Sequence, residues 1–250
     1  MHIYLRLPAL LVAGSALLTA SCDGAGGADP PKPPPPAIDP STAATVRGKV
    51  FFQGTPPPNP RIQMAAECAM HYTTPPSDEQ VLVKNGRLQN VFVYVKGGLE
   101  SLPFPWPTTP VTMANDRCVY VPRVLGVQVH QPILFTNEDA TDHNIHGFPS
   151  RGQFNYGLRG KGTNTQHKLR HAELGIRVKC DIHPWMIGYV NVVPHPFHAV
   201  TGPEGTFEFK GLPPGEYEIE AWHEKYGTRT QKAKLGPGAA ADADFSFSEK

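Results

Sequence analysis

The chain has little net charge and no long apolar segment, and both shortages exclude whole classes of protein. Its 250 residues carry 23 Lys and Arg against 22 Asp and Glu. This balance, with no basic stripe, argues against a nucleic-acid partner, because nucleic-acid-binding proteins cluster positive charge along the phosphates. The apolar run at residues 7–18 is too short to span a bilayer as a helix with ordinary flanks.

Amphipathic helical patterns are also scarce, whereas turn-forming residues are abundant. The 28 prolines and 24 glycines separate short runs that alternate in polarity or are rich in β-branched residues. We expect strands at 46–52, 91–96, 119–121, 124–129, 133–136, 176–180, 188–193, 206–209 and 217–222, with a last strand that carries Ala243, Phe245 and Phe247. The pattern predicts an all-β protein made of β-sandwiches.

The first residues have the features of an export signal. Arg6 precedes the apolar run, and small residues lie directly before Cys22, which resembles a bacterial lipoprotein signal. Leu18 lies four residues before the cysteine instead of the usual three. We expect residues 1–22 to be a signal and Cys22 to be lipidated, with ordinary cleavage near Ala20 as the alternative. Both readings place the mature protein in the periplasm or at the cell surface, and the first anchors it to a membrane.

Residues 23–44 are predicted to be a linker. They contain the run Pro-Pro-Lys-Pro-Pro-Pro-Pro at positions 30–36. Proline-rich segments favour an extended, semi-rigid conformation. A folded domain held away from an anchor would fit this composition, and a freely moving leader is the alternative.

A cluster of metal-ligand residue types follows one of the predicted strands. Residues 180–186 read Cys-Asp-Ile-His-Pro-Trp-Met, and a histidine lies upstream at the end of another strand. One thiolate, two imidazoles and a weak thioether are the donors of a trigonal type 1 (blue) copper site. Structural zinc does not use methionine. We therefore predict a single copper ion, alternating between Cu(I) and Cu(II), bound by Cys180, His183, Met186 and one of the two upstream histidines, His143 or His146.

The remaining cysteines are predicted to form a disulfide. The chain has four cysteines, of which Cys22 is assigned to lipidation and Cys180 to the metal. An exported protein oxidises the pair that is left. We predict a Cys68–Cys118 disulfide, and the alternative is a second metal site that uses Cys68, Met70 and His71.

The ligand loop resembles that of amicyanin, within the plastocyanin-like cupredoxins. The resemblance rests on the two-residue gaps that separate Cys180, His183 and Met186, and on the dipeptide His143-Asn144. It covers about residues 111–196 and implies a Greek-key β-sandwich in which Asn144 braces the cysteine loop. It also implies that His143 is the ligand and His146 is not, because the family's ligand directly precedes an asparagine.

The same resemblance implies a docking surface and a function. In the family the second loop histidine reaches the surface within an apolar patch, which here would comprise His183, Pro184, Trp185 and Phe148. Trp185 could equally fill the core. The implied function is transfer of single electrons between partners such as a c-type cytochrome or a periplasmic dehydrogenase. No catalytic residue and no enzymatic activity are expected, and the alternatives are a copper-handling protein or a surface scaffold.

A second resemblance concerns the end of the chain. Residues 201–209 and 211–219 resemble the carboxypeptidase regulatory-like (transthyretin-like) sandwich. The strands that open this family are matched at 48–50 and 90–95, which lie before the cupredoxin-like segment. We therefore predict a cupredoxin domain at 101–196, inserted into a discontinuous sandwich formed by 45–100 and 197–250. The long gap at 56–88 departs from the family pattern and leaves the strand order open.

Overall fold

The structure is a computed structural model that describes residues 33, 34, 36 and 38–249. The expected signal at 1–22, with the lipidation site Cys22, lies outside the described residues, and so does about half of the expected linker. In the part of the chain that is described, no helix has the length and apolar character needed to cross a membrane.

The described chain consists of strands with one short helix, which confirms the all-β fold class. The first elements are β1 (Ala44–Gln53), α1 (Ala66–Ala69), β2 (Val83–Lys84), β3 (Arg87–Leu88) and β4 (Phe92–Gly97). Next come β5 (Val111–Asp116), β6 (Val119–Val121), β7 (Val124–Gln128), β8 (Pro132–Asn137), β9 (His143–Gly147), β10 (Phe154–Leu158), β11 (Asn164–Lys168), β12 (Glu173–Lys179) and β13 (Ile187–Val193). The last are β14 (His198–Val200), β15 (Thr206–Leu212), β16 (Gly215–His223), β17 (Gly227–Leu235), β18 (Ala240–Asp242) and β19 (Phe245–Ser248).

One sandwich is built from both ends of the described chain. Its first sheet has the order β15-β1-β3-β2, with β18 and β19 also paired to β1, and its second sheet has the order β14-β4-β16-β17. Val50 is in register with Phe245, and Val93 with Ala221. All four side chains lie in one buried core. Strands from before and after the central segment therefore share sheets, as the insertion hypothesis requires.

The sandwich formed by both ends of the chain is called the first sandwich below. The central segment forms the second sandwich. Its sheets have the orders β10-β9-β12-β13-β7 and β11-β8-β5-β6. Alternation along β12 buries Ile176 and Val178 and exposes Arg177. The same alternation directs Cys180 into the core, where it is buried with Phe135 and other apolar side chains. A strand with this period of two thus delivers a thiol to the interior.

Glycines allow the two sandwiches to approach closely. Phe92 of β4 packs with Val124 of β7 in a small apolar cluster between them. A Cβ atom on Gly126 would lie 2.6 Å from the Phe92 ring and 2.7 Å from Nδ1 of His198. Because real Cβ atoms essentially never lie so close to neighbours, this position requires glycine. This contact explains why Phe92 is buried although it points away from the core side of Val91 and Val93.

We predict that Gly126→Ala destabilises the protein by about 1–3 kcal/mol, the usual cost of overpacking. The matched control is Gly157→Ala in β10, because a Cβ at Gly157 would meet no atom within 4 Å. Chemical denaturation of both variants measures the difference in unfolding free energy. Equal stabilities for the two variants would show that the sandwiches are not in close contact at Gly126.

The chain segment at 56–88, which departs from the family pattern, crosses to the second sandwich. Helix α1 lies in this gap, and its Cys68 forms the predicted disulfide with Cys118, with a Cα–Cα distance of 5.7 Å. The disulfide is thus confirmed, and the alternative metal site is excluded because Cys68 has no free thiolate. Both cysteines, with Met64 beside them, pack in the core of the second sandwich. Part of the segment assigned to the first sandwich at 45–100 therefore packs with the other domain.

The same segment is also held by an ion-pair network. Arg123 lies 2.9 Å from Asp78 in the segment and 2.6 Å from Glu224, which follows β16. The Glu224 carboxylate is almost completely buried and accepts two hydrogen bonds from the Arg123 guanidinium. Arg123 therefore joins the segment, the second sandwich and the first sandwich.

We predict that the protein loses stability as the pH falls from about 6.5 to about 4. Burial, with the charges of Arg123 and Lys225, lowers the pKa of His223 to about 4. A histidine whose folded-state pKa is depressed favours folding above its unfolded pKa of about 6.5, and this contribution is lost as the pH falls towards the folded value. The loss is on the order of 3 kcal/mol between pH 7 and pH 4.

Substituted chains test whether His223 is responsible. In the wild-type protein the backbone N–H of Lys225 donates to Nδ1 of His223 at 3.1 Å. His223→Asn removes the titrating imidazole and retains a side-chain acceptor for this N–H. Unfolding free energies across this pH range should give a shallower slope for His223→Asn. The control His171→Asn, at an exposed position, should retain the wild-type slope. Equal slopes for the two variants would contradict the assignment.

Candidate metal centre

The sheet register brings His143 and the cysteine loop to one end of the second sandwich. Strand β12 pairs with β9 in antiparallel orientation, with Val178 opposite Gly147 and Lys179 opposite His146. Because paired positions run in opposite directions, His143 lies beyond the last pair, alongside the loop that begins at Cys180. The ladder between β12 and β13 closes the other side of this loop, with Lys179 opposite Ile187.

Three of the predicted ligands converge there. Nδ1 of His143 lies 3.0 Å from Nδ1 of His183, and the Cys180 sulfur lies 3.7 Å from the same His183 nitrogen. The donor atoms of all three residues lie within 4.8 Å of one another, and all three residues are buried. Cys180 is the only free cysteine among the residues that the structure describes. The geometry therefore offers two imidazole nitrogens and one thiol to a common point.

Burial favours the neutral form of both imidazoles. Burial lowers the pKa of His143, and burial with the neighbouring His143 lowers the pKa of His183. Both rings are consequently neutral at pH 7, which leaves a lone pair on one nitrogen of each. A neutral imidazole nitrogen is the histidine donor in metal sites.

Asn144 lies behind the cysteine loop. Its Oδ1 accepts a hydrogen bond from the backbone N–H of Asp181 at 2.7 Å and lies 3.3 Å from the Cys180 sulfur. Its backbone carbonyl accepts the Tyr120 hydroxyl at 2.7 Å. In the thiol form the Cys180 S–H donates to this oxygen, and the bond from the Asp181 N–H fixes the start of the cysteine loop. These contacts are the ones that a bracing role for Asn144 requires.

Met186 is buried at the end of the ligand loop. Its backbone N–H donates to the carbonyl of His183 at 2.9 Å, and its carbonyl accepts the N–H of Cys180 at 3.2 Å. The loop is thus a closed turn. The Met186 side chain belongs to the same core cluster as Cys180.

His146 lies apart from this group. Its Nδ1 is 2.9 Å from Oδ2 of Asp181, and its ring lies 4.2 Å from the half-buried Phe148 ring. Asp181 is itself an anion, because hydrogen bonds from Lys179 and other side chains hold its pKa far below the usual range. The structure therefore brings His143, and not His146, to the thiol.

The environment of His183 differs from the family expectation of an exposed imidazole. His183 is only 1 % exposed. Glu67 of α1 approaches its Nε2 to 4.0 Å, and the Trp185 ring lies 5.1 Å from its ring. Trp185 is half-buried and donates its indole N–H to the carbonyl of Cys118 at 3.0 Å. The disulfide-linked segment and Trp185 thus cover the histidine, and the exposed residues of the loop are Asp181, Ile182 and Pro184.

Sequence reasoning missed two carboxylates behind the imidazoles. Asp139, in the loop between β8 and β9, lies 2.9 Å from Nε2 of His143. Glu67 faces His183 from a segment that is distant in sequence. Neither residue belongs to a motif, and both reach the site through loops whose path no local pattern predicts. The one signal in the sequence was the position of Asp139, four residues before the candidate ligand His143.

The three donors fit copper in particular. A soft thiolate with two imidazoles in a nearly trigonal arrangement suits copper, and the buried Met186 nearby supplies a weak fourth donor type. Two other groups of candidate donors include Cys118. Since that sulfur is already bonded in the disulfide, it does not provide a thiolate.

Known proteins resemble the two halves of the fold separately. Residues 189–248 match the family model of the carboxypeptidase regulatory-like domain. None of the curated proteins matches the chain. Similar solved structures include the purple cupredoxin from Nitrosopumilus maritimus, 25% identical, with a TM-score of 0.29 over 33% of this chain and 99% of that chain.

Two further structures have a lower identity. A mutant of amicyanin in its Cu(I) form is 21% identical, with a TM-score of 0.31 over 34% of this chain and 82% of that chain. A copper-containing nitrite reductase from Thermus scotoductus SA-01 is 21% identical, with a TM-score of 0.33 over 40% of this chain and 25% of that chain. Both families that the sequence resembles are therefore found among the similar proteins.

Proposed function

We propose that the protein binds one copper ion through His143, Cys180, His183 and Met186 and carries single electrons. The convergence of the Cys180 sulfur with two Nδ1 atoms, within 4.8 Å of one another in a buried site, carries this proposal. Copper supplies the one-electron couple between Cu(I) and Cu(II). The protein holds the donors in a closed turn that Asn144 braces, so that little rearrangement accompanies a change of oxidation state.

We also propose that the protein is a carrier and not an enzyme. Four protein donors leave no open position for a substrate, whereas catalytic metal sites keep one. The burial of His183 beneath Glu67 and Trp185 further limits direct access by a small molecule. An electron needs no open position, because it can pass through the ligands.

The proposed partner docks beside the ligand loop. Ile182 is 54% exposed and Pro184 is exposed, which gives an apolar surface directly next to His183. Phe148 and Trp185 are half-buried and would border it. Aromatic and aliphatic side chains of this kind form the desolvated centre of interfaces. A c-type cytochrome or a periplasmic dehydrogenase remains the proposed class of partner.

The proposed location is the periplasm or the cell surface, with attachment through Cys22. The Cys68–Cys118 disulfide supports this location, because disulfides persist in oxidising compartments. The proposal of a lipid anchor is based on the sequence of residues 1–22, which precede the linker.

The visible spectrum of the copper-loaded protein tests the function. A thiolate bound to Cu(II) should give a strong charge-transfer band that disappears on reduction and returns on oxidation. Stoichiometry should reach one copper per chain. A protein that takes up zinc in preference and shows no such band with copper would contradict the proposal. Reversible reduction by a c-type cytochrome, monitored through the band, then tests electron transfer.

A further inference from the structure

We propose that Asp139 lowers the reduction potential of the copper site through its hydrogen bond to His143, a role that rests on the proposed copper function. Asp139 is 3% exposed and lies outside the ligand set. Its Oδ2 is 2.9 Å from Nε2 of His143, on the side of the ring that faces away from Cys180. Asp139 therefore acts as a positioning residue for a ligand.

The hydrogen bonds of Asp139 define its charge. Oδ1 accepts the backbone N–H of Arg117 at 2.7 Å, and Oδ2 accepts the backbone N–H of Cys118 at 2.8 Å as well as facing His143. Backbone nitrogens can only donate, so an ionised carboxylate satisfies this arrangement best. The His143 ring must then carry its proton on Nε2, which leaves the Nδ1 lone pair directed at Cys180 and His183.

The same carboxylate stabilises a strained turn. Arg117 and Cys118 form the turn between β5 and β6, and both have positive φ values, 51° and 57°. Such backbone is unfavourable for residues other than glycine. Asp139 accepts the N–H groups of both residues and thereby offsets the strain. One side chain thus connects His143 to the turn that holds the disulfide.

The electrostatic consequence is specific to the oxidation state. A carboxylate bonded to the distal nitrogen makes an imidazole a stronger donor, and stronger donation favours Cu(II) over Cu(I). Of the two ligand histidines, only His143 has this support. Nε2 of His183 has no hydrogen-bond partner among the described residues, and its nearest carboxylate, Glu67, is 4.0 Å away and half-exposed. Asp139 is therefore the carboxylate that biases the copper couple.

The test compares Asp139→Asn with Asp142→Asn in the copper-loaded protein. One amide oxygen cannot accept all three N–H groups, and the negative charge behind His143 is lost. Asp142 is exposed and adjacent to His143, so Asp142→Asn removes a nearby charge without removing a hydrogen bond to the ring. Redox titration should show that Asp139→Asn shifts the equilibrium towards Cu(I) at least tenfold, about 59 mV. Equal shifts in the two variants would overturn the proposal.

A second measurement covers the case in which Asp139→Asn does not fold. In the reduced wild-type protein, the Nε2 proton of His143 should be visible by NMR and exchange slowly with solvent, since it is donated to a buried carboxylate. A proton on Nδ1, or fast exchange at Nε2, would overturn the proposal. Failure of the copper function itself is distinguishable, because the wild-type protein would then lack the charge-transfer band before any variant is made.

Discussion

Cys180→Ser should abolish the thiolate-to-copper band and weaken copper binding by more than the ~10–100-fold that loss of an outer hydrogen-bond partner typically costs. The thiolate is both the strongest donor and the origin of the band, and a serine hydroxyl is a poor replacement in a buried site. Cys180 is the only free thiol in the described part of the chain, so no other described thiol can replace it. Copper titration followed by absorption spectroscopy measures both effects.

His146→Gln is the matched control for this prediction. His146 lies close to the loop in sequence and space, but its Nδ1 faces Asp181, which retains Lys179, Asn144 and Asn155 as partners. The variant should retain the band and the copper stoichiometry. Loss of the band in His146→Gln, with the band retained in His143→Gln, would show that the ligand has been assigned to the wrong histidine.

Much of the fold was predictable, because apolar and polar residues alternate along strands that bury one face. Each strand expected from the sequence is present, including the alternation that buries Cys180. Five strands of at least five residues were not predicted, namely β5, β9 and β10 and the two strands β11 and β17. The latter two carry mostly polar, exposed side chains, and both are edge strands in their sheets. Hydrophobic periodicity does not identify a strand that buries little on either face.

The candidate site was predictable to the extent that its residues are close in sequence. Cys180, His183 and Met186 share one turn, and His143 carries a local signature in Asn144. The cover over His183 was not predictable, because Glu67 and Cys68 reach the site from a segment more than a hundred residues earlier. Asp139 is a similar case, since its partners Arg117 and Cys118 follow β5, which pairs with β8 in the same sheet but lies about 20 residues earlier in the chain. Long-range pairings of this kind leave no periodic trace in a single sequence.

Replacement of both Cys68 and Cys118 by alanine should lower the unfolding free energy by about 4 kcal/mol. The disulfide joins residues separated by 50 positions, and closure of a loop of this length removes chain entropy of that order from the unfolded state. Alanine is preferred to serine here, because both positions are completely buried and a hydroxyl would lack partners. Chemical denaturation of the metal-free protein measures the change.

Asp78→Asn provides the control for stability, because it weakens the other attachment of the same segment. The Asp78–Arg123 ion pair is partly exposed and Arg123 keeps Glu224, so we expect a loss of only about 1 kcal/mol or less. A loss for the double alanine variant no larger than that of Asp78→Asn would mean that the disulfide contributes little beyond the ion pair.

The double alanine variant should also change access to the metal centre. The sulfur atoms of Cys68 and Cys118 lie within 4.8 Å of a His183 ring nitrogen, and the disulfide fixes Glu67 over that ring. Without the disulfide, the segment is held near His183 only by weaker contacts, so the imidazole edge becomes accessible part of the time. Oxidation of the reduced protein by a small, hydrophilic oxidant should therefore be faster in the double variant than in Asp78→Asn. The stability could fall while the oxidation rate stays unchanged. That result would mean that the segment still covers His183 without the disulfide, and that electrons reach the copper through Ile182 and Pro184 in both forms.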